Sequence, residues 1–140
     1  SLVASYVAAR EDVPEEPQPD LANAKNFYRV LRLALLGWSR DELRNVAEPW
    51  QMFEQRVRGT LAATSAIRGR VLVVTSGGPI SAMLREVLKL DVETMVNTNL
   101  QAKNTGVTRY FTRGSQFNLN MFNAVPHLEN VSHRHLITYT

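Results

Sequence analysis

The stretch Val71-Leu72-Val73-Val74-Thr75-Ser76-Gly77-Gly78-Pro79-Ile80 decides the fold. Its first residues are leucine or β-branched, and this predicts a short buried strand over residues 71–75. Two glycines then permit a tight turn, and Pro79 suits the first position of a helix that continues over residues 79–88. A buried strand that turns directly into a helix predicts an α/β fold.

The turn between this strand and helix is a candidate anion site. Backbone N–H groups converge where a glycine-rich turn enters a helix, and the helix dipole adds partial positive charge there. The sequence therefore predicts phosphate binding at Ser76, Gly77 and Gly78. An ordinary strand-to-helix turn of a parallel sheet accounts for the same residues equally well.

The composition describes one modest globular domain, spanning residues 1–140. Hydrophobic residues make up 44%, and 16 basic against 13 acidic residues give a net charge of +3. The basic residues are scattered, without a basic arm or an aromatic-basic repeat, so we expect no nucleic-acid partner. Arg56 and Arg58 are interpreted as helix-surface charges. No apolar run approaches the length of about 18 residues that a membrane span needs, so we expect no membrane partner.

The chain has no cysteine, which excludes a disulfide scaffold and a thiolate metal site. This fits a cytoplasmic protein. The three histidines lack the spacing of a metal site, so we expect no metal and no cofactor. His133 and His135 lie in a polar tail and are interpreted as solvated residues.

The remaining elements follow from periodicity and turn residues. Acidic and proline-rich residues predict a loop over 11–19, after what looks like the end of a helix. We predict helices over 21–37, capped by Asp20, and over 49–66, with helical turns beginning at Ser39 and Asp91. A hairpin is predicted between 107–112 and 116–121, and a last short strand over 136–139. Four aromatic residues are predicted to lie in the core: Phe27, Trp38, Trp50 and Phe53.

Several segments, in this order, resemble the histidine phosphatase superfamily, the phosphoglycerate mutase-like proteins. They are Phe53-Glu54-Gln55-Arg56-Val57, then Val71–Ile80, then Asn104-Thr105-Gly106-Val107-Thr108-Arg109, then Phe122-Asn123-Ala124-Val125-Pro126-His127-Leu128. The closing Leu136-Ile137-Thr138-Tyr139 is similar to the end of one bacterial branch. The resemblance implies a three-layer α/β/α fold and a phosphate pocket at Ser76, Gly77 and Gly78.

The sequence departs from the family pattern at two places. The family's nucleophile is a histidine in an Arg-His-Gly motif, which does not occur here. The chain therefore resembles the C-terminal portion of the domain, and we expect an incomplete fold without the N-terminal strand and without catalytic residues. The second departure is Ser76, because most members carry a histidine there and only some relatives have Ser-Gly-Gly. A serine hydroxyl can hydrogen-bond a phosphoryl oxygen, but it supplies no positive charge.

The resemblance implies a parent protein that acts on phosphate esters through a phosphohistidine. The alternative is a non-catalytic relative that binds a phosphorylated small molecule, inorganic phosphate or a protein. A Rossmann-like or flavodoxin-like module ranks last, because the sequence has no Gly-x-Gly-x-x-Gly. His127 is interpreted as a structural hydrogen-bonding residue or as a neighbour of the site. Without the N-terminal strand, we expect strand 71–75 to expose an edge that either a second copy, as a homodimer, or rearranged segments must cover.

Overall fold

A computed structural model describes residues 1–11 and 20–139, so the predicted loop over 11–19 lies outside the described residues except for its first residue. The helices are α1 (Leu2–Glu11), α2 (Ala24–Ser39), α3 (Trp50–Ser65), α4 (Gly77–Leu88) and α5 (Val92–Asn99). The strands are β1 (Val107–Arg113) and β2 (Gln116–Ala124), and a short 3-10 helix covers Arg134–Leu136. The predicted α/β class is confirmed.

The chain divides into two compact units, residues 1–55 and 56–140, with the division inside α3. In the first unit α1 packs on α2, and three aromatic rings form the centre of the core. Trp38 lies edge-on to Trp50 at 4.9 Å between ring centroids, and Phe53 is 5.0 Å from Trp38 and 5.5 Å from Trp50. The indole N–H of Trp38 donates to the carbonyl of Glu48 at 2.8 Å, so its polar atom is satisfied inside the core.

Phe27 does not join this core, contrary to the prediction. Its side chain is exposed, and its ring contacts Tyr28 at 5.9 Å in an edge-to-face arrangement. The first buried position of α2 is Val30, almost one turn later. The apolar periodicity correctly predicts the helix but does not show where its buried face begins.

The start of α2 is set by Asn23 rather than by Asp20. The Asn23 Oδ1 accepts from the backbone N–H groups of Lys25 at 3.0 Å and Asn26 at 3.4 Å, which is an N-cap. The carboxylate of Asp20 accepts from Ala22 N–H at 3.0 Å, before the helix begins. The predicted start at residue 21 is therefore early.

The predicted helical turn beginning at Ser39 is also wrong, because Ser39 is the last residue of α2. Its hydroxyl donates to the carbonyl of Leu36 at 2.7 Å, and so serves the end of a helix instead of a start. The helical turn predicted to begin at Asp91 is found as α5, and Asp91 caps it, because its Oδ1 accepts from Thr94 N–H at 2.7 Å. This backbone hydrogen bond lowers the pKa of the Asp91 carboxyl below its ordinary value.

The second unit contains the hairpin. β1 and β2 pair antiparallel, with Arg113 opposite Gln116 across a turn that places Gly114 at φ 58°. Tyr110 and Phe117 stack edge to face at 6.1 Å. Burial of Tyr110 raises its pKa to about 12. The predicted hairpin is confirmed, and α4 packs against both α5 and β2, which fixes the helix that carries the candidate site.

Residues 71–75 do not form the buried strand that the sequence predicts. The segment has no assigned secondary structure, and Leu72 and Val74 are 87% and 89% exposed. A strand needs hydrogen bonds to a neighbouring strand, and the described residues place none beside this segment. The apolar composition indicates a segment suited to strand pairing, but it does not show whether a partner strand is present.

The tail forms less regular structure than predicted. Residues 134–136 form the 3-10 helix, and Tyr139 makes an isolated antiparallel bridge with Lys103. The backbone N–H of Asn104 donates to the carbonyl of Thr138 at 2.9 Å. The predicted strand over 136–139 is therefore reduced to a single bridge.

Substitutions of the two candidate N-cap residues, Asn23 and Asp20, test where α2 begins. We expect Asn23→Ala to lower the free energy of unfolding by about 1 kcal/mol, because two N–H groups of the first turn lose their acceptor. The matched control is Asp20→Ala, which lies outside the helix and should cost less than about 0.5 kcal/mol. Urea unfolding of both variants followed by circular dichroism measures the difference, and a larger loss for Asp20→Ala contradicts this assignment.

Candidate active-site turn

The candidate site is the turn from Ser76 into α4. Ser76 has extended backbone angles, φ −101° and ψ 174°, and occupies the N-cap position of a helix that begins at Gly77. The helix thus starts two residues earlier than predicted, and Pro79 lies in its third position instead of its first. The Ser76 side chain makes no capping hydrogen bond and is exposed, so its hydroxyl remains available to a ligand.

The first turn of α4 offers a defined set of donors. The N–H of Ile80 donates to the carbonyl of Ser76 at 3.2 Å, which is the first bond of the helix. Amides before that position have no acceptor within a helix. Because proline has no N–H, the donors of this turn are the amides of Gly77 and Gly78. With the Ser76 hydroxyl, they form a small cluster of neutral donors at the positive end of the helix dipole.

The far end of α4 is held by an ion pair. Glu86 accepts from Arg58 of α3, at 3.1 Å between Nε and Oε2, and the guanidinium of Arg85 lies 3.5 Å away. The hydrogen bond from Arg58 is the main cause that lowers the pKa of the Glu86 carboxyl. Arg58 is therefore engaged two turns away from Gly78, which agrees with its interpretation as a helix-surface charge.

His127 lies on the turn that follows β2. Its Nε2 is 2.9 Å from the hydroxyl oxygen of Thr105, and both residues are exposed. No hydrogen bond between His127 and residues 76–78 occurs in the described part of the chain. The geometry supports a hydrogen-bonding role in the loop, and a contribution of His127 to the site stays a prediction.

The loop contacted by His127 is organised by Asn123, which sequence reasoning did not single out. The Asn123 Oδ1 accepts from Lys103 N–H at 2.8 Å, and its amide donates to the carbonyl of Gln101 at 2.7 Å. A Cβ at Gly106 would meet that Oδ1 at 2.8 Å, so the loop can approach Asn123 only because residue 106 is glycine. Asn123 has φ 55°, a conformation that asparagine tolerates better than most residues, but the sequence alone does not reveal it.

The family model of the histidine phosphatase superfamily (branch 1) matches residues 20–125. The chain belongs to this superfamily. No curated protein and no solved structure matches the chain. The resemblance predicted from the ordered segments is confirmed, and the mixed α/β arrangement is consistent with a phosphoglycerate mutase-like fold.

The range of the family match includes some of the candidate site residues but not all of them. It includes Ser76, Gly77 and Gly78 and ends two residues before His127. The resemblance implies that Ser76 occupies a position at which most members of the superfamily have a histidine. The change replaces a group that can carry positive charge by a neutral hydroxyl, so a phosphate at this turn would rely on amide and hydroxyl donors.

Across residues 1–11 and 20–139, no three or more histidine, aspartate or glutamate side chains are grouped to hold a metal ion. In the same residues, none of the helices has the length and apolar character required to cross a membrane.

Proposed function

We propose that this chain forms the Ser-Gly-Gly side of a phosphate-ester site in a histidine phosphatase superfamily protein. The observation that carries the proposal is the exposed Ser76, which occupies the N-cap position of α4 without using its hydroxyl. With the amides of Gly77 and Gly78, which have no acceptor within the helix, this hydroxyl makes three neutral donors at the start of α4. Such an arrangement suits the oxygens of a phosphoryl group.

The reaction proposed for the assembled site is phosphoryl transfer to a histidine. The imidazole nitrogen attacks phosphorus in line, an N–P bond forms and the ester P–O bond breaks, while an acid protonates the departing oxygen. Water then cleaves the N–P bond and releases phosphate. The nucleophile belongs to an Arg-His-Gly motif, which these 140 residues do not contain. The Ser76 turn contributes hydrogen bonds to non-bridging oxygens of the transferred group, whose charge it helps to stabilise.

The second candidate function is binding without catalysis. One feature favours it: the neutral Ser76 at the position where the resemblance implies a histidine in most members. A protein of this kind keeps the anion-binding turn and uses it for a phosphorylated small molecule or for a protein partner. Fold membership does not distinguish the two functions, because chemistry depends on residues of the site.

Phosphate binding at the turn is the first test. We expect inorganic phosphate to shift the backbone amide resonances of Gly77 and Gly78 before others in a ¹⁵N–¹H titration. Binding should be weak, because the donors of this turn are neutral, and Ser76→Ala should weaken it several-fold. Ser65→Ala is the matched control, since that hydroxyl already donates to the carbonyl of Ala62. Larger shifts elsewhere than at Gly77 and Gly78 exclude this turn as the phosphate site.

An activity assay distinguishes the two candidate functions from a third possibility, in which these 140 residues alone form an active enzyme. We expect the 140-residue chain to show no hydrolysis of p-nitrophenyl phosphate and no phosphohistidine after rapid quenching, because it contains no Arg-His-Gly histidine. A longer product that carries the motif should hydrolyse the ester if the catalytic proposal holds. Robust turnover by the short chain, abolished by His127→Ala, contradicts this and makes His127 the reactive residue.

The exposed segment 71–75 supports a homodimer as part of the proposal. Leu72 and Val74 are almost fully exposed, and an apolar segment with no partner strand among the described residues can pair with a second chain. We propose that a second copy covers it.

Sedimentation equilibrium tests the dimer. We expect the protein to dimerise at micromolar concentrations and Val74→Lys to remain monomeric, because a lysine at this position places charge in the interface. Val131→Lys is the control, since Val131 is 95% exposed but lies in the tail. A protein that stays monomeric, or a control that disrupts the dimer equally, is evidence against pairing through residues 71–75.

A further inference from the structure

A cleft of about 570 Å³ lies at the C-terminal end of α4. Three elements of the second compact unit enclose it: the second half of α3, the end of α4, and the hairpin turn with the start of β2. Its volume falls within the range of about 300–1,000 Å³ that is typical of small-molecule sites. Since a helix rises about 1.5 Å per residue, the 12 residues of α4 separate this cleft from the Ser76 turn by roughly 18 Å. The cleft is therefore a second region of the molecule, apart from that turn.

The cleft combines an apolar lining with a polar side that is held in place. The apolar lining consists of Leu61, Val87 and Phe117, each of which is half-buried. On the polar side, two nitrogens of Arg58 contact the Glu86 carboxylate, Nε at 3.1 Å and Nη2 at 3.2 Å, and so tie α3 to α4. A bidentate pair fixes geometry better than a single contact. The cleft can therefore receive an apolar body between helices whose separation is set.

Lys89 lines the same cleft and has a charge that the described fold does not use. In the described part of the chain its ammonium makes no ion pair or hydrogen bond, whereas Glu86 is shared by Arg58 and Arg85. The hydrogen bond from Arg58 is the main cause that lowers the pKa of the Glu86 carboxyl, and the charge of Lys89 contributes least. The partial negative charge at the end of α4 is about half an elementary charge, so the ammonium keeps a positive excess.

The backbone of Lys89 is a second, independent observation. Its φ of 58° and ψ of 42° give the left-handed conformation at the C-cap of α4. Glycine is the usual residue there, because a Cβ makes this conformation less favourable. The Lys89 side chain makes no bond within the described fold that would offset this cost. A residue that is held in an unfavourable conformation without such a contact points to a role in binding.

We propose that this cleft binds a small organic anion, a carboxylate attached to an apolar body. Lys89 donates to the carboxylate, and the apolar body packs against Leu61, Val87 and Phe117. The ring of Phe117 contacts Tyr110 edge to face at 6.1 Å, which holds it as an aromatic surface of the lining. Apolar contact supplies affinity, and the lysine charge favours an anion over a neutral ligand. This inference is independent of phosphate binding at the Ser76 turn.

Titration with hydrocinnamate, which carries a carboxylate on a phenyl-bearing chain, tests the cleft. We expect the backbone amide resonances of Lys89, Gln116 and Phe117 to shift first in ¹⁵N–¹H spectra, and to saturate. Acetate has the charge without the apolar body, and hydrocinnamyl alcohol has the body without the charge, so each should bind several-fold more weakly. Equal binding of either one overturns the inference, because charge alone or apolar contact alone then accounts for the shifts. Shifts that do not saturate, or that are largest at Gly77 and Gly78, overturn it as well.

Substitutions of Lys89 separate binding from stability. Lys89→Met should weaken hydrocinnamate binding about fivefold, the upper range for an exposed ion pair. Lys25→Met is the matched control, because Lys25 is an exposed lysine outside the cleft, and it should leave binding unchanged. Lys89→Gly should also weaken binding but raise the urea midpoint, since glycine adopts a φ of 58° without a Cβ penalty. Unchanged binding in Lys89→Met contradicts the inference. A lowered urea midpoint in Lys89→Gly also contradicts it, because the lysine then serves the fold itself.

Discussion

A β-strand satisfies its backbone polar groups through a neighbouring strand, and this requirement governs the candidate site. Residues 71–75 lead directly into Ser76, so the position of the Ser76 hydroxyl depends on how that segment is held. The described residues provide no neighbour for it, and Leu72 and Val74 stay in contact with solvent. A pairing strand would bury these side chains and fix the direction in which the chain enters α4.

The rest of the turn is positioned by contacts that need no such strand. α4 packs on α5 and β2, and Glu86 near its C-terminal end is anchored by Arg58. The amides of Gly77 and Gly78 point along the helix axis as a consequence of helix geometry. The site therefore has a locally determined part, the helix N-terminus, and a part that depends on the segment before it, the Ser76 side chain.

Membership of the histidine phosphatase superfamily does not by itself determine the chemistry of this chain, because chemistry depends on the residues of the site. In the proposed site Ser76 is a neutral donor, whereas the histidine that the resemblance implies for most members could supply positive charge. Hydrogen bonds from neutral donors can bind an anion, but they provide less stabilisation than a charged partner. In our proposal the turn by itself binds a ligand, and catalysis requires a histidine from an Arg-His-Gly motif.

The helices and the hairpin could be predicted from the sequence because their signals are local. The apolar spacing of α3 and the Gly114 turn each depend on residues close in the chain. The ends of the helices were harder to predict, because Asp20 and Asn23 are both good caps and only the fold selects between them. The turn at Ser76, Gly77 and Gly78 could be located from the sequence, since two glycines and a proline before an apolar helix are a local signal. Phosphate binding there stays a prediction.

Only the tertiary structure decided which polar groups have hydrogen-bond partners. The apolar run over 71–75 is the same sequence whether or not a strand lies beside it, so its exposure could not be predicted. Ser81 in α4 has an ordinary sequence context, and only the packed helix shows that its hydroxyl is buried without a hydrogen-bond partner among the described residues. Hydrogen-bond satisfaction depends on residues distant in the sequence, whereas helix and turn formation depends on near ones. That physical difference separates what this sequence determined by itself from what required the folded chain.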